Sequence, residues 1–227
     1  MLSSLIFIGT YWFSQYKYGK KNKLRVDINY SKPPLLLNDS LVNKLLTQNL
    51  STKFSLQKDS LDLNILEIKM NKIPEVENTE IFLLPDGVMS ILITDRKPLF
   101  KFDSTPSVYS DANGVLFNFN NIDSVPYPKF KTTSSNISIE TTALLIKNLK
   151  ADPFLSEELK SVRLNDNQYQ LKLKSFDFKI IFGSTDRIKE KIKKLKVFCA
   201  FQTLQDSLSR YKKINLSYNN QVVASTP

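Results

Sequence analysis

The chain has 227 residues, 41% of them hydrophobic, 24% charged and 11% aromatic, which is the composition of ordered globular protein with room for one large domain or two ordinary ones. It contains 15 Phe and 9 Tyr but only 5 Gly, one Cys and no His, which excludes imidazole acid–base catalysis, His or Cys-cluster metal sites and Gly-rich phosphate cradles. The net charge of +10 is concentrated in two runs, Lys17 to Arg25 and Arg187 to Lys196, leaving the rest balanced; that is not the broad, aromatic-interleaved footprint of a nucleic-acid binder.

The first sixteen residues carry no charged side chain and include Leu2, Leu5, Ile6, Phe7, Ile8, Trp12 and Phe13. Followed by Tyr16, Tyr18 and the first basic run, they predict a membrane anchor over 1–18. At 1.5 Å per residue the stretch reaches about 24 Å, short of a ~30 Å hydrocarbon core, so the reading includes further N-terminal residues before Met1. A cleaved signal peptide would need a basic start and a small-x-small cleavage site, and neither precedes Lys17. Leu24, Val26, Ile28 and Tyr30 then alternate with polar residues as a half-buried strand. Asn38, Asp39 and Ser40 are N-cap candidates for a helix reaching Leu50. A second helix opens near Asp62, with Leu63, Leu66, Met70 and Ile73 on one face, and Pro74 stops it. Strands are predicted from Val76 to Leu84 and from Val88 to Thr94, joined at Pro85-Asp86-Gly87.

The second half is a mixed α+β pattern. Pro106, Pro126 and Pro128 punctuate its start. Helices are predicted from Ile137 to Leu149 and from Asp152-Pro153, then strands over 161–164, 168–173 and 176–182 with a turn at Gly183. Ser184 or Thr185 caps the longest helix, whose apolar face is read as Ile188, Ile192, Leu195, Phe198, Phe201, Leu204 and Leu208, with the basic run as its solvated face. Cys199 reads as a buried, inert thiol. Two last strands, 214–218 and 221–225, form a C-terminal edge hairpin; Gln221-Val222-Val223-Ala224-Ser225 is β-prone and uncharged, without the Lys or Pro that usually guards an edge. Such a strand is either buried by its own protein or receives a strand from another chain. Asp111 is assigned to its own turn backbone, with Gly114 at positive φ.

Several segments in order carry a family resemblance: the strand-helix-helix-strand-strand order after the anchor, Asp95-Arg96-Lys97-Pro98, Tyr109-Ser110-Asp111-Ala112-Asn113-Gly114, and Asn215-Leu216-Ser217-Tyr218 followed by Gln221-Val222-Val223. The chain resembles the bacterial cell-division FtsQ (DivIB) family. The resemblance implies a POTRA domain over 24–98 and a C-terminal α+β domain over 99–227, in a single-pass inner-membrane protein with its folded domains in the periplasm. It implies a divisome scaffold without enzymatic activity or cofactor, binding FtsB-like and FtsL-like partners and linking early to late division proteins in the regulation of peptidoglycan synthesis, with no nucleic acid or small-molecule substrate. The partner site it implies is Tyr218, Asn219, Gln221, Val222 and Val223. Asp95, Arg96 and Pro98 are assigned to the domain junction, Arg96 either pairing with Asp95 or Asp103 or facing a partner. Ser217 replaces the Arg of the family pattern. The alternative reading is an envelope protein using its POTRA-type domain to handle secreted or outer-membrane polypeptides. The positive-inside rule would put the basic run 17–25 and the domains in the cytoplasm, against the topology the resemblance implies.

Overall fold

Met89, Ile91 and Ile93 are fully buried while Ser90, Leu92 and Thr94 between them are half-exposed, so β3 (Val88–Asp95) is the middle strand of a small sheet. In the computed structural model β3 runs parallel to β1 (Arg25–Tyr30), with Ile28 opposite Ile91, and antiparallel to β2 (Val76–Leu83), in the order β1-β3-β2. Helix α1 (Leu63–Asn71) packs on β2; it buries Leu66 and Met70, one turn apart, and its cap Asp62 accepts from the Ile65 N–H at 3.1 Å. Glu67 of this helix accepts the Ile81 N–H of β2 at 2.7 Å.

The structure describes residues 8, 10–13, 25–37, 40, 42, 44, 62–118, 126–133, 137–204 and 211–226. Residues 8 and 10–13 are helical, and the rest of the anchor expected over 1–18 lies outside the described residues. Among the described residues no helix is long and apolar enough to cross a membrane. Ser40, Val42 and Lys44 are helical where the first helix is expected, and the remainder of that helix lies outside the described residues, as does Leu208.

The chain divides into two units, Met1–Arg96 and Lys97–Pro227. Asp95 and Arg96, assigned to the junction, both turn back into the first unit. The Asp95 carboxylate accepts the backbone N–H groups of Leu35 at 2.6 Å and Leu36 at 2.8 Å. Arg96, 7% exposed, donates from Nε to the Pro74 carbonyl at 2.6 Å and from Nη2 to the Val76 carbonyl at 2.7 Å. Asp103 lies 3.7 Å from Lys131 of the second unit.

The second unit is built on a nine-stranded mixed sheet in the order β12-β11-β10-β9-β8-β7-β4-β5-β6. Its strands are β4 (Phe100–Phe102), β5 (Val108–Ser110), β6 (Leu116–Asn118), β7 (Lys129–Thr132), β8 (Leu159–Asn165), β9 (Gln168–Leu173), β10 (Lys179–Gly183), β11 (Lys213–Asn215) and β12 (Val223–Ser225). One face is covered by α2 (Ile139–Ala151), α3 (Pro153–Glu158) and α4 (Ile188–Leu204), which with the sheet bury Phe100, Phe130, Val162, Leu171, Ile180 and Phe182 in a single core. The turn motif after β5 does what its residues predict: Asp111, 4% exposed, accepts the N–H groups of Asn113 at 2.9 Å and Val115 at 2.8 Å, and Gly114 takes φ +83°. A Cβ at Gly114 would stand 2.9 Å from the Glu140 backbone nitrogen.

Strand β10, the last two strands and helix α4 differ from the sequence pattern. Strand β10 starts at Lys179, three residues late, because Phe176 and Phe178 are buried by ring packing rather than by sheet pairing: Phe178 stacks edge-on against Phe198 at 5.4 Å, and Phe176 lies 6.3 Å from Phe154. The last two strands are shorter than expected, because past Leu216, whose N–H still donates to the Ile181 carbonyl at 2.9 Å, the chain runs to Val222 as a loop. Helix α4 begins at Ile188, and its buried residues are Lys191, Ile192, Leu195, Cys199 and Gln202; Phe201 and Leu204, expected inside, are 46% and 87% exposed.

Candidate functional site

One lysine lies on the buried side of α4. Lys191 is 1% exposed, and its ammonium donates to the Ser184 carbonyl at 2.9 Å and to Asp186 at 2.8 Å while lying 5.2 Å from the Phe182 ring centre. With charge partner, carbonyl and aromatic face all supplied from the preceding turn, a cation occupies an inward position. Ser184, expected as the cap, instead donates its hydroxyl to Asp186. Hydrogen bonds from Lys191, Ser184 and Arg187 hold the Asp186 carboxyl well below the usual carboxylate range.

Val197, Phe201 and Leu204 lie on the outward side of α4, and Val197 and Phe201 border the end of the sheet where the chain finishes. There β12 pairs antiparallel with β11, Ala224 opposite Ile214, and nothing pairs with its other side among the described residues. Val222 and Ala224 pack partly against the core, whereas Val223 between them is 43% exposed. Val197, Phe198 and Phe201 of α4 and Gln221 and Val222 of the terminal segment enclose an open groove of about 380 Å³, with Lys193, Lys194 and Asn220 at its rim.

Basic residues of α4 hold this segment in place. Lys194 donates to the Leu216 carbonyl at 3.1 Å and the Tyr218 carbonyl at 2.7 Å, and Arg187 donates from Nη2 to the Ser217 carbonyl at 3.2 Å. The loop carbonyls that leave the sheet ladder are thus satisfied by side-chain cations. The basic run is therefore not simply a solvated face: Lys191 and Lys194 are structural, while Lys189, Lys193 and Lys196 remain exposed. Gly183, at φ +79°, lets this arrangement close, since a Cβ there would stand 2.5 Å from the Ser217 hydroxyl oxygen. Ser217 is accordingly a tight contact in this chain.

Of the residues assigned to a partner site, Tyr218 is 49% exposed, Asn219 is exposed, Gln221 and Val222 line the groove, and Val223 lies on the free-edged strand. The expected face of α4 holds for Ile188, Ile192, Leu195 and Phe198, but successive three-residue steps rotate it off the core, so Phe201 and Leu204 point outward and, with Val197, were not legible as part of the groove side. The thiol of Cys199, on the buried side of α4, is pushed up to about 12 by burial and by the negative charge of Glu158. Among the described residues no group of His, Cys, Asp and Glu is placed to hold a metal ion.

The family model described as "FtsQ/DivIB, C-terminal related" matches residues 97–225, the second unit almost entirely. The chain matches no curated protein.

Proposed function

Since the chain belongs to the FtsQ/DivIB family, a cell-division family whose members take part in divisome protein interactions, we propose that it is a non-enzymatic divisome scaffold whose α4–β12 groove and edge receive an FtsB-like partner. The observation that carries the reading is the pairing of an open strand edge with an apolar groove in one place. An incoming strand would hydrogen-bond along β12, while apolar side chains beside it would fill the space between Phe201 and Val222. Tyr218, half-exposed in the same terminal segment, supplies an aromatic anchor. An FtsL-like chain would associate through the FtsB-like one, and the assembly would link early to late division proteins at the site of peptidoglycan synthesis. The first unit, with strand, helix, strand and strand around a three-stranded sheet, is read as the POTRA domain. An anchor over 1–18 would hold the protein in the inner membrane with both units in the periplasm.

Calorimetric titration of the full chain with the envelope segment of an FtsB-like partner tests the site. Tyr218→Ala and Phe201→Ala should each weaken binding by about 2 kcal/mol, the size of an interface hot spot, and Val223→Pro should abolish it by disturbing the edge strand. Variants that keep the wild-type circular dichroism spectrum and the wild-type affinity would move the interface elsewhere. A reporter active only in the periplasm, fused after Pro227, should be active; full expression with a silent reporter would reverse the topology.

A further inference from the structure

The helices of the second unit cover one face of its sheet, and on the other face many outward positions carry cations, beside Ser161, Gln170, Ile181 and Asn215. Along one row, Lys101 of β4 stands opposite Lys129 of β7, which stands opposite Ser161 of β8, which in turn stands opposite Lys172 of β9. Lys172 and Lys179 lie side by side next to the Leu171–Ile180 pair, and Lys179 stands opposite Lys213 of β11. In the next row Lys131 faces Arg163, and Arg163 faces Gln170. Phe130, Val162, Leu171, Ile180 and Ile214, which alternate with these residues, are all in the core, so the cations share the opposite face. Lys129, Lys131, Arg163, Lys172, Lys179 and Lys213 are exposed. The acids beside them are Asp103, 3.7 Å from Lys131, and Asp177, which shares a hollow of about 270 Å³ with Arg163, Lys172 and Lys179.

Like charges directly opposite one another on neighbouring strands destabilise a sheet. Lys101 with Lys129, Lys131 with Arg163 and Lys179 with Lys213 all have this arrangement; Lys101 is met by the Tyr109 ring at 5.6 Å and Lys131 by Asp103, while Lys129, Arg163, Lys179 and Lys213 have no ion pair or ring contact among the described residues. We propose that this face is a docking surface for an acidic polypeptide segment of a partner protein, independent of the α4–β12 groove. Its carboxylates engage Lys129, Lys131, Arg163, Lys172 and Lys179. Strands are spaced about 4.8 Å apart, close to the ~5.4 Å rise of one helical turn, so carboxylates one turn apart on an acidic helix fall over successive cations. The sheet's twist of about 20° per strand confines that match to three or four strands. Gln170, partly buried, lines the same hollow between Arg163 and Lys172. A lipid surface fits less well, because the exposed large hydrophobic residues that would insert are absent from β7 to β10 among the described residues.

The probe is a fluorescein-labelled, alanine-based helical peptide of about twenty residues with glutamate at every fourth position, titrated by anisotropy against the full chain in neutral detergent. The glutamate peptide should bind at low salt and its glutamine counterpart should not. Arg163→Gln with Lys172→Gln should weaken binding about tenfold, corresponding to about 1.4 kcal/mol. Lys147→Gln with Lys189→Gln, an equal charge change on exposed positions of α2 and α4, should leave affinity within about twofold. Equal losses in both double variants would reduce the effect to net charge and overturn the proposal. So would failure of the glutamate peptide to bind, whether nothing binds or phosphatidylglycerol vesicles bind in a manner dependent on Arg163 and Lys172.

Discussion

Replacing Lys194 by Met removes an ammonium while keeping most of the apolar stem, so the variant isolates what the charge contributes to the terminal segment. The ammonium donates to two carbonyls, and its side chain is only 13% exposed. The bond to the partly buried Leu216 carbonyl is of the charged kind, about 1.5–3 kcal/mol, and the one to the exposed Tyr218 carbonyl is largely replaced by water and counts for little. Glu190, 3.4 Å from Lys194, keeps a second cation in Arg187 at 3.7 Å, so its loss of partner adds little. The expected cost of about 2–3 kcal/mol falls on the docking of residues 216–218 and hence on β12, held to the sheet by the short β11 ladder. Amide hydrogen exchange read by mass spectrometry on peptides covering 213–225 should accelerate by roughly 30- to 150-fold, because each 1.4 kcal/mol is a factor of ten. Peptides covering β8 and β9 should be unchanged, and Lys189→Met, on an exposed position of the same helix, should change nothing. Wild-type protection of 213–225 in Lys194→Met would refute the assignment of Lys194 as the clamp.

Gly183→Ala should lower stability by about 1–2 kcal/mol in urea unfolding, because alanine is strained at φ +79° and its Cβ meets Ser217. Asp111→Ala should cost about 2–4 kcal/mol in the same measurement, since it leaves the Asn113 and Val115 N–H groups without their acceptor in a turn that is only partly exposed. For acid, the folded pKa of Asp186 is depressed, so its contribution is complete above the unfolded value of about 3.9 and is lost as pH falls through the folded value. The melting temperature should therefore drop on acidification below about pH 4, and Asp186→Asn should show a shallower drop. Cys199 should react with a thiol reagent at pH 8 only at the rate of unfolding, and fast labelling of the native protein would contradict its burial.

Local signals set much of this structure. Alternation at Met89, Ile91 and Ile93 determined a strand with one buried face, Asp62 and Pro74 bracketed α1, and Tyr109 to Gly114 specified a turn through side-chain-to-backbone bonds four residues long. Such features are legible because the groups that satisfy them are neighbours in sequence. The order of motifs likewise pointed to a family that the match over 97–225 establishes. The tertiary structure decided what depends on distant partners. Arg96 is satisfied by carbonyls some twenty residues earlier, which its own surroundings do not announce. Strand order put β12 at the edge of the sheet, and only the cross-strand register aligned Lys129, Arg163, Lys172 and Lys179 on one face, although each looked unremarkable within its own strand. Lys191 takes an inward place on α4 because a carboxylate, a carbonyl and an aromatic ring meet it there at once. A hydrophobicity pattern assigns lysine to water; a buried ammonium with all its partners supplied reverses the assignment.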